Sequence, residues 1–223
     1  MGMNNLSKYY EMHKNIQRSP YSFLSSLSLE HLRIFLLGYD ACALDNKVYF
    51  SWKPEFNNFI ENKYKDKLIS RHPFKIIELC ESNEKDAFNK FFELLDDFLE
   101  KYVCPSEIVE NALPSEYEKL SLTDKYYKAL DMIRKKPKLY FRSTSLQYLE
   151  SYINGYTACA NTYQISFSPH HGFDDFIQEK YEAKVSKNPF KIIHLNSFYD
   201  EEAFNKFFEL LDEFLKQKET PSD

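Results

Sequence analysis

Apolar side chains at Phe88, Phe91, Phe92, Leu95, Phe98 and Leu99 are spaced by threes and fours, and Asn89, Lys90, Glu93, Asp96 and Asp97 fill positions between them. That period gathers the apolar set on one stripe of an α-helix and turns the polar set away. Burying a Phe or Leu contributes roughly 1.5–3 kcal/mol, so six on one stripe make this helix an organiser of the core. The whole segment, Ala87 to Leu99, returns as Ala203 to Leu215 with twelve of thirteen residues identical, the exception being Asp97 against Glu213. Leu94 falls off the stripe and is expected to contact the other repeat or a partner.

The duplication extends outward from this helix. His72–Leu79 matches Asn188–Leu195 at the same offset of 116, and Phe56–Tyr64, Gly38–Ala43 and Lys8–Tyr10 match the second copy at 117. The copies therefore run over residues 6–103 and 123–218. Between them residues 104–122 carry two Pro, four Glu and one Lys and read as a linker, with a short helix open to Ile108–Leu113. Each repeat is too long for a solenoid unit and reads as a small domain.

Within each repeat the pattern predicts four to five helices. A first helix ends at Pro20 in one copy and Pro137 in the other, with Thr123 or Asp124 capping the second. Ser28 and Ser145 cap a second helix whose Leu29, Leu32, Leu36 and Tyr39 share one face. Gly38 and Gly155 lie inside it, where Gly costs about 1 kcal/mol relative to Ala; its presence in both copies points to close helix–helix approach or a local kink. Phe56, Phe59, Ile60 and Tyr64 mark a third helix. Asn188 followed by Pro189 has the form of a helix start, so the "PFKII" segments read as short helices, with a strand as the rival reading. Segments 47–52 and 163–168 alternate partially and are open to short strands. The fold class expected is mainly α: two homologous four-to-five-helix repeats packed with pseudo-twofold symmetry.

Composition narrows the chemistry. Only four Gly occur among 223 residues, too few for the usual ~7%, and no Gly-rich phosphate loop is present. The net charge of −5 and the absence of a basic stripe argue against nucleic-acid binding; the run at Arg134, Lys135, Lys136 and Lys138 suits a helix C-terminus. Cys42, Cys80, Cys104 and Cys159 form neither a CxxC nor zinc-finger spacing. They read as free thiols in a reducing compartment. No window approaches the apolar length of a membrane span and no signal peptide is evident, so a cytoplasmic protein is expected.

Candidate sites are few. Glu93 with Asp97, and Glu209 with Glu213, share helix faces at i, i+4 and read as a solvated face or as a negative patch for a basic partner. His170, His171, Asp174 and Asp175 form the one metal-like cluster, and its counterpart in the first copy, around Lys53–Asn58, lacks both His and Asp; a polar loop capping a helix is the simpler reading, and metal-dependent catalysis the lesser one. Trp52, the sole Trp, is a candidate interface anchor. No nucleophile motif occurs. The chain is therefore read as a non-enzyme with no cofactor and no metal.

Ile133-Arg134-Lys135, Pro137, Tyr140, Ser145-Leu146 and Gly155-Tyr156, followed by Ala203–Phe214, resemble a bacterial family pattern: I-R-K-R-P-G-M-Y-L-G, then S-L and G-Y, closing on A-F-x-x-F-F-x-L-L-D-E-F. Lys138 stands in place of that pattern's Gly, and Phe141-Arg142 in place of its Leu-Gly. The first copy keeps Arg18, Pro20, Ser28-Leu29, Gly38-Tyr39 and Ala87–Phe98. The resemblance is to immunity proteins encoded beside polymorphic toxins. It implies a monomer or homodimer that occludes a protein toxin such as a basic nuclease, without catalysis, and without nucleic-acid or membrane partners. The partner-binding residues expected are Trp52, Glu93, Asp97, His170, His171, Asp174, Asp175, Glu209 and Glu213. The alternative function is a ligand-binding or regulatory module with a pocket between repeats lined by Tyr39, Tyr156 and the Phe stripes.

Overall fold

A computed structural model describes residues 5–48, 53–67, 72–101, 120–184 and 188–219. The mainly α fold class holds. Helices α1 (Asn5–Arg18), α2 (Leu29–Asp45), α3 (Lys53–Lys63), α4 (Pro73–Cys80) and α5 (Glu84–Leu99) belong to the first repeat. Helices α6 (Leu122–Lys135), α7 (Leu146–Thr162), α8 (Phe173–Lys180), α9 (Pro189–Leu195) and α10 (Asp200–Glu219) follow in the same order. A single 3₁₀ turn, Pro20–Ser22 or Pro137–Leu139, follows the first helix of each repeat. Proline lacks the N–H that would continue the α-helix and presets φ for the turn.

Residues 163–168 form a turn and extended coil without strand pairing. The alternation there reflects side chains packed onto the aromatic core, as Phe167 is on Tyr126, and gives no ladder. Of 47–52, Lys47 and Val48 are turn and coil, and the rest lies outside the described residues, as do Trp52 and linker residues 104–119. Helix α6 starts earlier than its sequence suggests. Ser121 is the cap, accepting from the Asp124 amide, and the Asp124 carboxylate accepts in return from the Ser121 backbone N–H. This capping box satisfies two amides that the helix leaves without partners. Ser28 caps α2 by accepting from the His31 amide, and Asn188 caps α9 by accepting from the Lys191 amide.

The chain divides into two compact units. The first comprises residues 1–119 and 151–165, the second 120–150 and 166–223. Helix α7 therefore contributes its first turn to the second unit and its remainder to the first. In the first unit, α5 packs on α1, α2, α3 and α4. Phe88, Phe91, Phe92, Leu94, Leu95 and Phe98 are all buried there. Leu94 is fully buried, so its place off the stripe widens the core face and gives no surface contact for a partner. Gly38 on α2 and Gly155 on α7 meet where the two backbones cross. A methyl group at Gly38 would collide with the Tyr152 carbonyl, and one at Gly155 with that of Phe35. Close approach, not a kink, accounts for these glycines. Cys42 and Cys159 are buried free thiols in the same unit. In the second unit α8, α9 and α10 pack on one another around Phe173, Ile192, Ile193, Phe207 and Phe208.

Candidate functional site

The polar face of the duplicated helix is tied into its own unit. Asp96 accepts from Lys14 at 2.6 Å and from the Tyr10 hydroxyl at 3.0 Å, and Asp97 accepts from Lys63 at 2.6 Å. In the second copy Asp212 accepts from Arg134 at 2.8 Å, and Lys180 pairs with Glu213. Lys63 beside Asp97 holds that carboxyl below its ordinary range. Glu93 and Glu209 point outward, each paired along its helix with Lys90 or Lys206. The charges that looked like a negative patch are largely matched by neighbouring lysines and arginine, so the identity of Lys90 and Glu93 with Lys206 and Glu209 has a structural account.

His170 points inward. Its Nε2 is hydrogen-bonded to the Tyr126 hydroxyl at 2.5 Å, and its ring packs against Tyr126, Phe173 and Phe207. Burial, with Lys218 nearby, pushes its pKa down to about 4, so it is neutral at pH 7. His171, Asp174 and Asp175 are exposed. Lys218 donates to the His171 carbonyl at 2.7 Å, and Asp174 and Asp175 lie in the first turn of α8, where negative charge suits the helix dipole. Among the described residues no group of three or more His, Cys, Asp or Glu is placed to hold a metal ion. Tyr39 and Tyr156 are fully buried, and Tyr156 donates to Asp45 at 2.7 Å. They are core residues, not the lining of an open pocket.

Two further features carry chemistry that the sequence reading missed. The first is the corner between α9 and α10. Leu195, Phe198 and Tyr199 are 66%, 96% and 65% exposed, an unusual concentration of apolar surface within five residues. The corner is internally braced. Asn196 and Ser197 donate from their side chains to the Ile192 and Ile193 carbonyls, and the Phe198 amide donates to Glu202 at 2.7 Å. Asp200 accepts from the Leu146 amide, Glu201 faces solvent, and Tyr199, Glu202, Asn205, Lys206 and Glu209 line a shallow depression beside it. The first copy has Ser82 and Asn83 at the places of Phe198 and Tyr199, and Asn83 serves as the N-cap of α5. The aromatic pair was thus visible in the sequence as a difference between otherwise similar copies.

The second is a cleft of about 620 Å³ in the first unit, where Tyr9, Leu36, Phe56, Phe74 and Phe91 surround Asp40 and Lys53. Lys53 pairs with Oδ2 of Asp40 and lies 5.1 Å from the Tyr9 ring centroid. Oδ1 is buried without a hydrogen-bond partner among the described residues. Burial raises the Asp40 carboxyl while Lys53 pulls it down. Asp40 and Lys53 correspond to Thr157 and His170 in the second copy, again a difference between copies.

No protein-family model, curated protein or solved structure matches this chain. No helix among the described residues is long and apolar enough to cross a membrane.

Proposed function

We propose that this chain is a non-catalytic binding protein of the immunity or antitoxin type, which occludes a basic protein partner through the α9–α10 corner. The observation carrying the reading is the near-complete exposure of Phe198 beside Leu195 and Tyr199 on a braced turn. Rigid exposed aromatics make interface anchors because they bury much area and lose little conformational freedom. With Glu209 matched by Lys206, Asp200, Glu201 and Glu202 around them leave the rim net negative and suited to a cationic partner. Such a rim steers encounter and rejects acidic competitors. The net charge of −5 and the resemblance of the closing helix to immunity proteins support the same reading. Buried free thiols suit a reducing, cytoplasmic setting.

The test is co-expression with each toxin encoded beside the gene, followed by pull-down and titration with purified partner. Phe198→Ala and Tyr199→Ala are each expected to weaken binding at least tenfold, from loss of roughly 1.5–3 kcal/mol of burial. Charge reversal, Glu201→Lys with Glu209→Lys, is expected to slow association and flatten its salt dependence. The reading fails if no neighbouring product is toxic or bound, or if both aromatic variants bind as the parent does.

A further inference from the structure

We propose that a second cleft of the first unit binds a short zwitterionic peptide, a dipeptide with apolar side chains. The cleft encloses about 540 Å³ between α1, the 3₁₀ turn after it and α7, a size usual for small-molecule sites. Two helical rows form its walls. On α1 the row is Lys8, Glu11, Met12 and Asn15; on α7 it is Asn154, Thr157, Ala158 and Asn161. Each follows the i, i+3, i+4, i+7 spacing of one helix face and extends about 10 Å along its axis. The rows run in opposite directions. The Lys8 ammonium lies 5.1 Å from the Tyr163 ring centroid, just past α7, while Asn154 donates to the Phe23 carbonyl beyond the end of α1. All of these residues belong to the first unit. A ligand can reach the lining: Glu11, Asn15, Ser22, Thr157 and Asn161 are exposed, and Lys8, Phe23 and Ala158 half-buried. Met12, at the bottom, is buried.

Charge selects the ligand. Lys8 and Glu11 are the charged groups of the lining, and among the described residues neither is in an ion pair. An anion at Lys8 would stand beside Glu11, and a cation at Glu11 beside Lys8. A neutral ligand would cover both and pair neither. The two sit one helical turn apart, at i, i+3, so a small molecule carrying both signs reaches them together. Its carboxylate accepts from Lys8 and its ammonium donates to Glu11. The remaining polar groups both donate and accept, as a peptide unit does. They are the amides of Asn15 and Asn161 and the hydroxyls of Ser22 and Thr157, whose side chains make no hydrogen bond among the described residues. Two residues of extended peptide advance about 6.6 Å, within the length of the rows. Met12, Phe23 and Ala158 offer apolar surface to the side chains. The set is not duplicated. Lys125, Lys128 and Met132 stand at the places of Lys8, Glu11 and Asn15, and Leu37, Asp40 and Leu44 at those of Asn154, Thr157 and Asn161.

Leucylleucine, its C-terminal amide and its N-acetyl derivative test this on the full chain, the amide lacking the carboxylate and the acetyl compound the ammonium. Titration followed by calorimetry and by shifts of amide resonances should show saturable binding of leucylleucine. Each blocked form should bind about fivefold more weakly, the ratio expected for one partly exposed ion pair. Lys8→Met should bring the ratio of dipeptide to amide toward one and leave the ratio to the acetyl compound in place. Glu11→Gln should do the reverse. Both replacements keep the length of the side chain, and the three compounds compared on the parent chain need no variant at all. No saturable binding of leucylleucine, a blocked form that binds as tightly, or a ratio that survives its own variant would overturn the proposal. So would tighter binding of the amide, which makes the cleft a cation site, or of glucose, which makes it a polyol site.

Discussion

Each unit builds a nest of aromatic rings around one neutral imidazole, but the imidazole comes from a different element. In the first unit His13, on α1, stacks on Phe91 at 5.9 Å and touches Tyr9 and Phe92. In the second, His170 comes from the loop before α8 and packs on Tyr126, Phe173 and Phe207. By alignment His13 corresponds to Leu130, and His170 to Lys53. The duplicated helices therefore preserve an aromatic wall, while the polar group that plugs it has moved. A shared wall with an exchanged plug means that the polar group of one nest cannot be found by aligning the two copies. It also explains why the Asp40–Lys53 ion pair has no counterpart at the matching positions of the second copy: Lys53 is turned toward Asp40 in the first unit, where the second carries the histidine.

The largest test of this comparison removes what the copies hold in common. Gly38→Ala and Gly155→Ala each place a methyl against a backbone carbonyl of the facing helix. Backbone is less able to yield than a side-chain tip, so each is expected to lose more than about 3 kcal/mol of unfolding free energy, despite a gain of about 1 kcal/mol in helix propensity. Urea unfolding measures it. A loss below about 1 kcal/mol would show that the two helices can separate cheaply.

A smaller effect separates the two plugs. His13 Nδ1 donates to the Tyr9 carbonyl at 2.9 Å, leaving Nε2 as a bare buried acceptor. Burial pushes its pKa down to about 3. The unfolded chain binds a proton below pH about 6.5, whereas the folded chain resists it. The stability this histidine permits is thus complete above that pH and falls as pH drops toward 3. His13→Leu, which installs the residue of the second copy, should leave stability at pH 7 unchanged or improved. It should also remove roughly 2–3 kcal/mol of the loss between pH 7 and pH 4. An unchanged acid transition in the variant would assign the titration elsewhere, first to His170.

The helices were legible because their periodicity is strong and their stops are prolines. The paired glycines announced a close crossing, and Asn188-Pro189 announced α9. Other features depend on facts that one chain does not carry. Leu94 is off the stripe by count yet fully buried, because α5 is surrounded by four helices and a broad face is covered. His170 looked like a surface ligand because two histidines and two aspartates adjoin; only the fold reveals that Tyr126 takes one of them inward. Phe198-Tyr199 and the Asp40–Lys53 pair were missed for another reason. Differences between the copies stood out at Trp52 and at His170–Asp175, where the residue types suggest chemistry by themselves; Phe198-Tyr199 and Asp40–Lys53 differ as well but match no motif.

The mildest test concerns α4 and α9, which share the "PFKII" sequence but not the cap. Asn188 accepts from the Lys191 amide at 2.9 Å, while His72 makes no capping bond through its side chain. An Asn at this position satisfies an amide that the first turn leaves open, worth about 1 kcal/mol against Ala. Asn188→Ala should cost about that amount, and His72→Asn should return a few tenths by giving α4 the cap of α9. Asn188 also donates to Glu150 at 3.1 Å, so part of its loss could arise there. Combining Asn188→Ala with Glu150→Ala in a double-mutant cycle divides the two contributions. If Asn188→Ala costs nothing once Glu150 is removed, the cap is without energetic weight and the two short helices differ only in sequence.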